Sequence, residues 1–313
     1  HKSFLISILF LLCAGFVSAC GEKAETTPPP RPTTIQAPTP EPCPEDISGY
    51  IPFFNSWKNS GHADTDSQAF RLWDDESPAE VPTQCASCHS SPGFLDFIGA
   101  DGSDVGTVEA AAPINTVISC ATCHNQTTGE YSSVTFPSGL VVPNLERDAV
   151  CITCHLGRAY QIQVDTALQE AGGEADVDQI LASLNLFSIH YATAAVSRFG
   201  GEVIGGYQYP GKSYDVEYEH VSGMQACQDC HNPHSLQLEV DKCTGCHRGV
   251  KGIETIRDIR MMSSSVDFDG DGDLKEGIYY EVQGVREKLL VAIQAYTQEV
   301  LGRPLAYSKT VYP

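Results

Sequence analysis

Hydrophobic positions are spread unevenly along the 313 residues. Positions 4–17 are nearly all apolar, follow Lys2, and end in the small residues Ser18 and Ala19. This run is short for a membrane span. Its basic start, apolar middle and small-residue end read as a secretory signal over 1–19, with a buried helix as the alternative. Over 20–48 the pattern reverses into prolines from Pro28 to Pro44 among Thr, Ala and Glu. Such a segment cannot bury a core and reads as an extended tether. Further on, helical spacing predicts helices over 62–73, 176–184, 186–199 and 284–301. In the third of these Phe187, His190, Tyr191, Ala194 and Ala195 share one face. The last has apolar residues at 285, 289, 292, 293, 296 and 300. Alternation around Pro137-Ser138-Gly139 predicts a small hairpin over 133–142, and His220 closes a hairpin strand after the turn Tyr209-Pro210-Gly211-Lys212. The expected fold is mainly α, with long irregular loops and a few short β-hairpins.

Composition changes this picture in two ways. Lys and Arg number 19 against 40 Asp and Glu, a formal net charge of −21. Phosphate binding needs the opposite balance, so nucleic acid is excluded as a partner. Cysteine is abundant at 13 residues, which calls for a metal or cofactor reason.

The spacing of the thiols supplies the reason. Cys85-Ala-Ser-Cys88-His89, Cys120-Ala-Thr-Cys123-His124, Cys151-Ile-Thr-Cys154-His155, Cys227-Gln-Asp-Cys230-His231 and Cys243-Thr-Gly-Cys246-His247 all fit C-x-x-C-H, the attachment signature of haem c. Two thiols add to the two vinyl groups of one porphyrin, and the adjacent His ligates the iron. A zinc ribbon also uses C-x-x-C pairs but does not demand His after the second Cys. Disulfides within each pair would leave the histidines unexplained. Outside the motifs stand Cys13 and Cys20 at the leader and Cys43 in the tether.

With these motifs the chain resembles the bacterial multihaem c-type cytochromes, over roughly residues 57–250. The resemblance implies a fold organised around five closely stacked haems and an electron-transfer role. Carriers, filament-forming cytochromes and pentahaem nitrite reductase belong to that superfamily. The last typically replaces one proximal His by Lys, and no C-x-x-C-K occurs here. Val17-Ser18-Ala19-Cys20 resembles a bacterial lipoprotein box, which makes Cys20 a lipidation site.

The ten histidines then sort by role. His1 falls in the leader, and His89, His124, His155, His231 and His247 are proximal ligands. His62, His190, His220 and His234 remain as distal ligands for five irons. His234, three residues after His231, is expected to reach a different haem. One iron lacks a His. Its sixth ligand is sought beyond Pro313, in a neighbouring subunit, in Met224, Met261 or Met262, or in an open catalytic site. Arg158 and Arg248 are candidates to pair with haem propionates or to be solvated.

Asp267-Phe268-Asp269-Gly270-Asp271-Gly272-Asp273 resembles the start of an EF-hand calcium loop, with Glu276 or Glu281 to close it because Ile278 holds the twelfth position. The alternative is a solvated acidic turn. The expected organisation is a signal (1–19), a tether (20–48), a pentahaem domain (49–260) and an acidic loop with a C-terminal helix (261–313) that continues past the last residue. The expected function is electron transfer on the outer side of a membrane, lipid-anchored and periplasmic or at the outer membrane. Its partners are redox proteins or an extracellular electron acceptor. A reductase of nitrogen or sulfur oxyanions at one open haem and a subunit of a conductive filament are the alternatives.

Overall fold

Each C-x-x-C pair occupies about one helical turn, which puts its two thiols on one face, and this sets the scale of the helices. The computed structural model describes residues 51–173 and 178–307. The expected signal 1–19, Cys20, the tether 20–48 with Cys43, and Asp176 and Val177 lie outside the described residues. Residues 46–313 form one compact unit. As expected, it is mainly helical, with two small two-stranded sheets among the described residues.

The chain enters through α1 (Phe54–Lys58) and α2 (Gln68–Arg71). The first motif ends α3 (Thr83–His89), which turns directly into α4 (Ser91–Phe97). Ser90 caps α4 by accepting the Gly93 amide at 3.3 Å. A Cβ at Gly93 would stand 2.5 Å from the Ala86 methyl and carbonyl, so only glycine lets the two helices approach this closely. β1 (Glu80–Val81) pairs antiparallel with β2 (Ala112–Pro113), Val81 opposite Ala112. Trp73, Val81, Ala86 and Ala112 form a small core beneath the first motif.

The second motif lies on α5 (Cys120–Cys123). The expected hairpin follows as β3 (Val134–Thr135) and β4 (Val141–Val142), Val134 opposite Val142. The third motif fills α6 (Asp148–His155), whose Asp148 sits favourably in the positive first turn. Hairpin, α6 and α8 (Ala194–Phe199) meet in the larger core of Val134, Phe136, Val142, Leu145, Ala149, Ile152, Ala195, Phe199 and Val203. The fourth motif is on α9 (Cys227–Cys230), and α10 (Val240–Cys243) delivers the first thiol of the fifth. α6 packs against α3, α8 and α9 and so joins the first, third and fourth motifs.

Several local expectations are corrected. His62 stands in a turn between α1 and α2, not at the head of a helix to Trp73. The described part of 176–184 is turn and irregular chain, whereas Gln161–Glu170 forms a helix, α7, that periodicity did not single out. Of 186–199 only α8 is helical, and His190 and Ala192 are left-handed, with φ of 84° and 51°. The Tyr209–Lys212 turn forms, but His220 follows irregular chain rather than a strand. The C-terminal helix, α12 (Ile278–Glu299), starts earlier than its apolar spacing suggested. Its expected inner face is largely exposed at Val285, Leu289 and Ile293. α11 (Ile253–Ile256) precedes it.

Candidate functional site

The four spare histidines each meet a proximal histidine of a motif far from them in sequence. His190 faces His89 with ring centroids 5.8 Å apart, and His234 faces His124 at 6.1 Å with rings 7° from parallel. His62 faces His155 at 6.5 Å, and His220 faces His247 at 6.1 Å. A metal–imidazole bond is about 2 Å, and the nitrogen sits about 1 Å from the ring centre, so two imidazoles sharing one metal have centroids about 6 Å apart. The residues present therefore fit bis-histidine ligation at four positions. His231 has no facing histidine among the described residues.

Hydrogen bonding leaves the correct nitrogens available. The Nδ1–H of His89 donates to the Ala69 carbonyl and that of His155 to the Ala192 carbonyl, both at 2.7 Å; His231 donates likewise to Leu236 at 3.2 Å. A backbone carbonyl only accepts, so these bonds fix the proton on Nδ1 and free Nε2 to ligate. Burial, and then the facing His155, lowers the pKa of His62; burial and then His89 lower that of His190. Burial is also the main cause lowering His89. All three are thus held in the neutral, ligating form.

Two of these segments, those of His62 and His190, are braced from near a motif other than the one they face. The Trp57 indole donates to the Ile118 carbonyl at 2.9 Å and the Ile118 amide donates to the His62 carbonyl at 3.0 Å, tying the His62 segment to the chain entering the second motif. The His190 segment is held by the third motif, through the Arg158 amide on the Ile189 carbonyl at 3.1 Å. Gly157, at φ 83°, allows this approach, since a Cβ there would lie 3.0 Å from that carbonyl. Ser91, after the first motif, accepts the Ser119 amide at 2.7 Å and shares a 2.8 Å hydroxyl contact with Thr122 inside the second.

The thiols also meet across motifs. The Cys88 thiol donates to the Thr153 carbonyl at 3.6 Å and the Cys154 thiol to the Ser87 carbonyl at 3.7 Å, a reciprocal contact between α3 and α6. The Cys154 thiol beside Cys88 is the main cause lowering Cys88 to about 7. Cys227 and Cys151 shift one another likewise, Cys151 downward and Cys227 upward. All ten motif cysteines are free thiols. Among the described residues, the groupings of three or more potential ligand atoms within 4.8 Å are all carboxylate. The Cys and His side chains thus do not converge as the four ligands of a zinc site do.

A cavity of about 2590 Å³ runs past all nine described histidines and nine of the ten motif cysteines. That is several times the volume of an ordinary small-molecule pocket, about 300–1,000 Å³. Met224 lines it, while Met261 and Met262 are 70% and 103% exposed. Arg158 and Arg248 are both exposed, and Arg158 lies near the Cys85 thiol, His89 and His190.

Sequence reasoning missed Asp148, a buried carboxylate that joins two motifs. It accepts the Cys227 amide at 2.9 Å and pairs with Arg198 at 2.6 Å. Its one signal in the sequence is an acidic residue three positions before the first thiol of a motif. In the acidic loop, Asp267, Asp269 and Glu281 form one carboxylate grouping and Asp269, Asp271 and Glu276 another, while Asp273 joins neither. Glu281 is ion-paired with Arg260 and accepts the Phe268 and Asp269 amides. No helix among the described residues is long and apolar enough to cross a membrane.

No protein-family profile, no curated protein and no solved structure matches this chain.

Proposed function

We propose that the chain is a pentahaem c-type cytochrome that transfers electrons on the outer side of a bacterial membrane, held there by a lipid at Cys20. The observation that carries this is the set of four histidine pairs at 5.8–6.5 Å, each joining a C-x-x-C-H histidine to a spare histidine remote in sequence. Five covalent haems would be held by Cys85 and Cys88, Cys120 and Cys123, Cys151 and Cys154, Cys227 and Cys230, and Cys243 and Cys246. When bound, haem supplies a one-electron couple between ferric and ferrous iron.

The chain's own residues do the rest. Histidine on both faces keeps a potential low relative to His/Met ligation. The carbonyls of Ala69 and Ala192 make His89 and His155 stronger donors and fix their ring planes. The contacts of Cys88 with Cys154 and of Cys151 with Cys227 bring attachment points of the first, third and fourth motifs together. The third motif becomes a junction. The acidic surface suits a basic redox partner, or an oxide acceptor bridged by cations.

Pyridine haemochrome analysis of protein matured with a haem-attachment system tests the reading. Five haems per chain that resist acid–acetone extraction are expected. Three or fewer, or zinc in their place, overturns it.

A further inference from the structure

The nine described histidines sort into four facing pairs and one remainder, and the remainder is His231. Counting residues said that one iron would lack a histidine; the fold says which. His231 is exposed and lines the large cavity, and its Nδ1–H is spent on the Leu236 carbonyl. Its neighbour His234, which might have served the same ring, is turned to His124 instead.

The methionines divide as clearly. Met261 and Met262 are on the surface outside the cavity. Met224 lines the cavity, but its amide is tied back to the Val221 carbonyl at 2.9 Å, beside the His220 that faces the fifth motif. The fourth motif also sits between two others, since α9 packs against both α6 and α10. A group held there has neighbours on two sides to exchange electrons with.

We infer that the position formed by Cys227, Cys230 and His231 is the exchangeable one. Its haem is ligated by His231 on one face and open on the other to a small diffusible donor such as carbon monoxide, nitric oxide or a nitrogen base. This rests on the pentahaem reading and assigns that reading's odd iron. It also marks where any substrate chemistry would take place, because the other four positions have both faces filled by histidine.

The test uses the full chain matured with five haems and carbon monoxide as probe. The reduced protein is expected to bind one carbon monoxide per chain. Cys227→Ala/Cys230→Ala is expected to carry four haems and to bind none. His231→Gln, which keeps both thioether bonds, is expected to shift the C–O stretching frequency, because the ligand opposite the gas sets that bond's electron density. His220→Ala is expected to raise the stoichiometry to two. Carbon monoxide binding that survives in Cys227→Ala/Cys230→Ala, or a stretch unmoved by His231→Gln, overturns the assignment. So does a five-haem protein that binds none, and a far-red charge-transfer band lost in Met224→Ala would then name the methionine as ligand. A chain with three or fewer haems fails earlier and sinks the haem reading itself.

Discussion

The first three motifs and the last two are built by different means. Of the 19 buried apolar residues among those described, 18 lie at or before Val203, and Val250 is the exception. In the first region α3 and α6 stand on protein cores and α5 is pinned by the buried Thr122, so Ala86, Ile152 and Thr122 locate the histidines before any cofactor is considered. In the second, α9 and α10 are single turns with no buried residue, and their order comes from hydrogen bonds such as Asn232 to Gln237 and Glu239 to Cys230. Chain that buries little apolar surface cannot offset its conformational entropy. On the pentahaem reading, the fourth and fifth motifs take their stability from the haems that the cavity would hold.

Removal of attachment points breaks the comparison most strongly. Cys243→Ala/Cys246→Ala is expected to leave 204–260 open to proteolysis, with cleavage faster by about tenfold or more, because Val250 is the sole buried apolar residue described there. Cys85→Ala/Cys88→Ala is expected to lose its haem while the hairpin and α6 stay protected. Mapping the cuts by mass spectrometry checks both. Equal protection in the two variants would remove the distinction between the regions.

Core truncation probes the other side. Phe136 is 2% exposed and meets Phe199 edge-on at 5.7 Å. Phe136→Ala is expected to cost about 3–5 kcal/mol, seen as lost hydrogen-exchange protection across β3, β4, α6 and α8. Leu289→Ala, at a residue 58% exposed on α12, is expected to stay within about 0.5 kcal/mol.

Asp148 is where the two regions are joined. Asp148→Asn keeps the shape but removes the charge that faces Arg198 and weakens acceptance from the Cys227 amide. A loss of about 1–3 kcal/mol is expected, with exchange rising first at 217 and 225–230 rather than within the hairpin. Exchange confined to the hairpin would show that the carboxylate does not couple the regions.

What the sequence made legible follows the same divide. The motifs and the hairpin rest on local spacing and the four spare histidines on a residue count, and the structure brings those histidines to the motif histidines. The helix over 186–199 failed for a tertiary reason. A helix would consume the Ile189 and Ala192 carbonyls internally, but here they accept the Arg158 amide and the His155 ring. The left-handed His190 and Ala192 are the backbone cost of freeing them. No periodicity carries such information. The pairing of ligands was equally out of reach, since each pair spans between 27 and 110 residues of chain. Nor could spacing show α12 presenting its apolar face to solvent while anchoring through polar residues such as Lys288 and the buried Glu281.

That anchor supports the smallest effect, one with two opposed phases. Arg260 bonds the Glu281 carboxylate, and with the Phe268 and Asp269 amides holds its pKa below the ordinary glutamate value. The stabilisation is complete above about pH 4.3, the ordinary value, and is lost as pH falls through the lower folded one. Glu276 shifts the other way. Burial, then Asp271, Asp269, Glu281 and Asp273, raises its pKa. A raised carboxyl takes up its proton earlier in the folded state, so acidification through that value relieves repulsion and tightens the loop. Lys288 donates to the Asp269 carbonyl in the same loop. Exchange protection at the head of α12 is therefore expected to rise slightly as pH falls toward the glutamate range and then to collapse below it. Glu276→Gln removes the rise and Glu281→Gln removes the collapse, while β3 and β4 show neither phase. A hairpin that follows the same curve would mean that the two regions unfold as one.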